Sequence, residues 1–200
     1  MSLKYEFTGE TLNWNGSILH RIRRLSDDKI GGWIESEDNL SQEGDCWVDN
    51  EAKVYCDAKV YGNAQIYGKA EVYGEAEVYG NVKVYDDARV HGDAKVYGNA
   101  KVYDNAIVCD DAKVYDYALV HGNARVYGDA KVYNDASVYG NASVYDYAQV
   151  YGDTIVGDNA KIYDSAEVHG HANVYCDVEV CDDINITSGT YITTQQLYLR

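Results

Sequence analysis

The sequence predicts an all-β protein built as a parallel β-helix, and three observations predict it. From Cys46 to about Gln195 the chain is one six-residue phrase repeated 25 times, with no insertion or deletion expected. Within each phrase, as in Ala58-Lys59-Val60-Tyr61-Gly62-Asn63, apolar and polar residues alternate for four positions and a turn pair follows. The 200 residues contain no proline, as expected of a chain whose backbone N–H groups all serve a ladder. A repeat this short and constant dictates architecture before local propensity does. Period-two alternation reads as a short strand, and the Gly-Asn, Gly-Asp or Asp-Asp pair as a tight bend. A helical period would smear Val around the whole cylinder, so helix is excluded.

Three phrases make a triangular coil of 18 residues, each strand lying on the strand 18 positions later. Ala and Val then face inward, while Lys and Tyr face outward. The expected boundaries are a cap and lead-in over 1–45, about eight coils over 46–195, and a tail over 196–200.

Residues 4–25 predict a hairpin. Tyr5-Glu6-Phe7 and Leu12-Asn13-Trp14 run into Asn15-Gly16, then Ser17 to Ile22 returns. Asn-Gly between apolar runs is a strong hairpin signal. A solenoid end exposes unpaired edges and a hydrophobic cross-section, so a cap is expected there. His20, Arg21, Arg23 and Arg24 form a basic cluster on this hairpin, read as a solvated face.

The lead-in carries Gly31-Gly32-Trp33-Ile34 and Leu40-Ser41-Gln42-Glu43-Gly44-Asp45-Cys46-Trp47-Val48. Trp33, Leu40 and Trp47 are expected to plug the core of the first coil. Together with the hairpin and the phrase [Val/Ile]-x-x-x-[Ala/Val]-x, these elements resemble the YdcK-like proteins. Those are bacterial and phage-borne hexapeptide-repeat proteins of the left-handed β-helix superfamily, described as transferases. The resemblance implies a left-handed, single-stranded coil with this segment leading into it. Through the superfamily it also implies acyl transfer from an acyl-CoA, with a general-base histidine near a groove between subunits. The repeats here are more uniform than in that family, and no loop interrupts them.

Adding 18 writes out the outward columns. One face carries Tyr61, Tyr79, Tyr97, Tyr115, Tyr133 and Tyr151, then His169. The second carries Tyr55, Tyr73, His91, Cys109, Tyr127, Tyr145, Tyr163 and Cys181; the third carries Tyr67, Tyr85, Tyr103, His121, Tyr139, Gly157 and Tyr175. The corner after the second face collects acids from Asp57 to Asp183, whereas the corner after the tyrosine-only face has Asp116, Asp135 and Asp153. Acid should therefore form a ridge. Beyond Asp183 the phrase degrades, and Leu197-Tyr198-Leu199 is expected to close the far end.

The formal net charge is −16, with 5 basic and 9 acidic residues over 1–45 and 12 and 24 over 46–200. Such a surface repels duplex nucleic acid and anionic membrane, so neither is expected as a partner. No stretch reads as a membrane span or signal peptide. Five cysteines without framework spacing point to a reducing cytoplasm.

Three chemistries are weighed. Acyl transfer would draw on His121 and His169, in tyrosine slots, or His171, in a turn. Metal binding would draw on His91, Cys109, Asp93 and Asp111, but outward strand side chains do not converge to a tetrahedron, so no metal and no cofactor is expected. The third reading is a non-catalytic structural or binding rod. Its surface is the column Tyr61 to Tyr151, and its partner is a second copy, another protein or a glycan.

Overall fold

The computed structural model describes residues 3–192 and 196–197. Through the repeats, each phrase contributes a two-residue strand, its polar residue and its Val or Ile, as at Lys59–Val60 and Lys95–Val96. The strand stops there because the backbone turns just beyond the tyrosine slot. The next residue takes positive φ, 70° at Gly62, 58° at Asp110 and 58° at Cys56. Glycine adopts that conformation freely, and Asp and Asn more readily than other residues. The turn slot is accordingly filled almost entirely by these types.

Successive coils pair in parallel and in register, 18 residues apart. Val60 lies on Val78 on the first face, Val54 on Val72 on the second, and Ile66 on Val84 on the third. One phrase donates three amides to the coil above: Lys59 to Ala76 O at 2.9 Å, Tyr61 to Val78 O at 3.1 Å, and Asn63 to Gly80 O at 2.9 Å. A proline at any of these three positions would delete one.

The inward slots form one continuous core from Tyr5 to Ile186, with the Ala and Val positions essentially inaccessible. Each such Val contributes roughly 1.5–3 kcal/mol relative to exposure. Thr154 replaces Ala in one inward slot and is fully buried; its hydroxyl donates to Tyr151 O at 2.8 Å. The molecule is a parallel solenoid of about nine coils. At the usual strand spacing of about 4.8 Å, that is a rod on the order of 40 Å long.

The hairpin consists of β1 (Tyr5–Trp14) and β2 (Ser17–Arg24), joined by Asn15-Gly16, both at positive φ. It does not simply plug the end. β3 (Ile30–Ile34) pairs antiparallel with β2 on one side and parallel with Lys53–Val54 on the other, so the hairpin extends the second face. The ladder therefore starts upstream of Cys46, with Ile34 on Val54, Leu40 on Val60 and Val48 on Ile66. This first coil has two residues more than the others, inserted between Leu40 and Val48. It is why nine coils stand where eight were expected.

Leu40 and Trp47 join the core as expected, Trp47 edge-on to Tyr5 at 6.5 Å. Trp33 does not. It pairs with Lys53, an outward position, and packs in a second cluster outside the coil with Leu19 and Tyr55. The parity of the strand decides this: Ile34 takes the inward slot, so Trp33 must face out.

At the far end the repeat slips. Val168 lies on Ile186, but His171 lies on Ser188 and Val174 on Tyr191, so the period drops from 18 to 17. The expectation of an unbroken repeat to Gln195 is thus corrected. A one-residue slip reverses every later side chain, so Tyr191 packs against the core and Ile192 is exposed. Leu197 pairs with Val180; Tyr198 and Leu199, also expected at this closure, lie outside the described residues. Among the described residues, no helix is long and apolar enough to cross a membrane.

Candidate functional site

The tyrosine column is a stack of rings held by the ladder beneath it. From Tyr61 to Tyr151 successive centroids are 4.7–5.1 Å apart and the planes lie within 7° of parallel. His169 continues it, 4.6 Å from Tyr151 and 1° from parallel. The spacing equals that of the coils, so each ring covers the face of the next and leaves an edge to solvent. The rings are half-buried. Burial, the largest cause, raises the phenol of Tyr61, Tyr97, Tyr133 and Tyr151, and pushes that of Tyr115 up to about 12.

The phenols at the two ends of the column have partners that the ring spacing does not reveal. Tyr61 donates to Glu77 Oε2 at 2.9 Å and Tyr151 to Glu167 Oε2 at 3.2 Å, in each case 16 residues on. That places the acceptor in the polar slot of the next coil. The offset of 16 was the available signal. Tyr117 stands on the adjoining corner and is 61% exposed, a large ring at a turn tip.

The other two faces are interrupted. On the second, Tyr55 stacks on Tyr73 and Tyr73 on His91, and the stack resumes from Tyr127 to Tyr163 after Cys109. The hairpin covers its beginning. Trp14 Nε1 donates to Glu71 Oε2 at 3.2 Å, Lys53 Nζ sits 4.1 Å from the Trp14 ring centroid, and Tyr55 is buried. On the third face, His121 lies between Tyr103 and Tyr139, the latter tilted by 15°. Tyr139 leans over Gly157, where a Cβ would come within 2.7 Å of its ring.

Part of the acid ridge has a backbone cause. Asp110, Asp146, Asp164 and Asp182 all occupy the positive-φ turn slot. Asp110 Oδ2 accepts the Gly128 amide at 3.2 Å, and Asp164 Oδ2 accepts the Asp182 amide at 3.3 Å. These carboxylates cap the next coil. The basic cluster of the hairpin is neutralised: Arg21 pairs with Glu51, Arg23 with Glu6 and Arg24 with Asp27. Arg21 and Arg24 also lie over the Trp33 and Trp47 rings.

Of the three histidines weighed for acyl transfer, His169 and His171 lie two residues apart on the strand Glu167–Val174, and His121 is on another face. His121 lies on the third face, its Nδ1 3.8 Å from Asp104 Oδ2, with its pKa lowered chiefly by burial. His169 lies on the first face, with Nε2 2.8 Å from Asn185 Oδ1. His171 lies on the corner between those faces, with Nδ1 3.3 Å from Asp153 Oδ2, in an open groove with Tyr117 and Asp135. Among the described residues, Asp164, Cys181 and Asp182 place donor atoms within 4.8 Å of one another. His91, Cys109, Asp93 and Asp111 form no such group there. No family model and no curated protein matches this chain.

Proposed function

We infer that the chain is a non-catalytic structural or binding rod, and that its working surface is the face from Tyr61 to Tyr151. The coil is taken to be left-handed, as in the YdcK-like proteins that the sequence resembles. The observation that carries the reading is the uninterrupted ring stack, since the other two faces are broken at Cys109 and at Gly157. The corner that follows it carries the fewest acids and the exposed ring of Tyr117, while the acid ridge borders its other edge. Approach of a second chain of like charge costs least from the side of the Tyr117 corner. Half-buried rings with polar tips suit an interface, because they offer apolar area at low conformational cost. Acyl transfer gains nothing from the histidines, which stand on two faces and a corner without a common cleft.

The test is light scattering on a variant with Tyr97, Tyr115 and Tyr133 all changed to Ser. The fold should persist, because Ala and Val hold the core, while self-association falls. An oligomer unchanged in the variant, or a wild-type protein that is monomeric and binds no partner through this face, rejects the reading.

A further inference from the structure

Because the coils are near copies of one another, a departure from the phrase carries more information here than in an ordinary sequence. Arg89 and Arg125 are the two arginines of residues 46–195, where every other cationic side chain that is not His is Lys. They occupy the same outward slot of the second face, two coils apart, with Ile107 paired between them. Both are exposed, and neither guanidinium has a hydrogen bond or ion pair among the described residues.

Alongside runs a ladder of amides. Asn105 Nδ2 donates to Asn123 Oδ1 at 3.2 Å, Asn123 to Asn141 at 3.0 Å, and Asn141 to Asn159 at 3.0 Å. The arginine column and the amide column form the two walls of a groove of about 540 Å³, with Asp87 at one end. Each internal amide spends one N–H and one lone pair on the ladder. One N–H and one lone pair per coil are left to meet a ligand. The guanidiniums offer forked donors that match a carboxylate. At about 4.8 Å per coil they stand roughly 9.6 Å apart, close to two pyranose units of an extended chain.

We propose that this groove binds an acidic polysaccharide with a carboxylate on alternate sugars. Two successive carboxylates take Arg89 and Arg125, the sugar between them lies on Ile107, and hydroxyls take the free positions of Asn105, Asn123 and Asn141. Charge complementarity favours the anion, since both guanidiniums keep their forked donors free of any ion pair among the described residues and face the same groove. A polynucleotide fits less well. It carries a phosphate on every unit, so most of its charge would meet the acidic surface unpaired. The groove lies on the second face and does not rest on the tyrosine surface.

The experiment titrates a hyaluronan octasaccharide into the full chain by calorimetry, with its carboxyl-reduced form and a single-stranded oligonucleotide of equal charge as comparisons. Saturable binding is expected for the octasaccharide, weakening with salt. Both R89Q/R125Q and carboxyl reduction should weaken it at least about tenfold. N123A should weaken it a few-fold while leaving the salt dependence intact, and the triple Tyr→Ser variant should bind as wild type. Absence of saturable binding, equal affinity in R89Q/R125Q, or an oligonucleotide bound as tightly overturns the proposal. Both arginines are exposed and unpaired, so the double variant keeps its fold, which circular dichroism checks.

Discussion

Tyr61 donates its hydroxyl to Glu77 Oε2 at 2.9 Å, and the other oxygen of that carboxylate takes Lys95 Nζ at 2.8 Å. The two links tie three successive coils on the outside of the tyrosine face, independently of the core. Lys95 first, and then Tyr61, hold the Glu77 carboxyl below its ordinary value. The phenol and the carboxylate thus favour opposite protonation states, and the arrangement survives only while the phenol keeps its proton.

Alkaline pH should therefore unfold the rod. Tyr85, Tyr115 and Tyr145 are pushed up to about 12, first by burial and then by neighbouring phenols. A raised phenol means that the folded state holds the proton more tightly. The stabilisation is complete below the unfolded value of 10.0 and is lost as pH rises through about 12. Tyrosinate absorbance and far-ultraviolet circular dichroism should change together in that window. Ionisation centred near pH 10 with the sheet signal intact would contradict it.

Asn39 should be the most sensitive polar residue of the first coil. It is buried, and its Oδ1 accepts the amides of Glu35 and Ser36 at 3.1 and 2.8 Å. Its Nδ2 donates to Cys56 O and Ala58 O at 2.8 and 2.9 Å. Asn39→Ala strands three backbone groups, the Ser36 amide and the Cys56 and Ala58 carbonyls, while the Glu35 amide keeps its bond to Val54 O at 3.1 Å. Each stranded group costs about 1–3 kcal/mol when buried unsatisfied, less whatever water recovers. A loss on the order of 3 kcal/mol is expected, with hydrogen exchange rising first around residues 33–60. Exchange that rises evenly along the rod would argue against a local role.

Asp110 tests why the turn slots of the ridge carry Asp. Asp110→Ala loses the bond to the Gly128 amide and puts an alanine at φ 58°, which costs about 1–2 kcal/mol for the backbone alone. Asp110→Gly loses the bond but relieves the backbone. The melting temperatures should rank wild type, then Gly, then Ala. If Ala equals or exceeds Gly, the turn does not select the residue.

Acetyl-CoA should leave the melting temperature unchanged. A ligand at about 100 times its dissociation constant stabilises by about 2.7 kcal/mol, which a melting curve registers easily. Saturable stabilisation that is lost in His121→Ala or His169→Ala would restore the acyl-transfer reading.

The sequence by itself determined the coil: its period of 18, its inward Ala and Val, its three outward columns and its turn slots. Each follows from a local alternation repeated so often that one register satisfies all copies. The hairpin was also legible, through Asn15-Gly16. What only the tertiary structure decided lies where the repetition stops. Trp33 reads as a core residue, yet strand parity turns it outward and the hairpin covers it. Ile192 reads as an inward residue, yet a one-residue slip before Ser188 exposes it and turns Tyr191 inward. The two walls of the groove stand two residues apart within each phrase, as Asn123 and Arg125 do, so the sequence places them side by side. The tertiary structure adds the stacking of successive coils, which lines up the copies into walls and links the amides into a ladder.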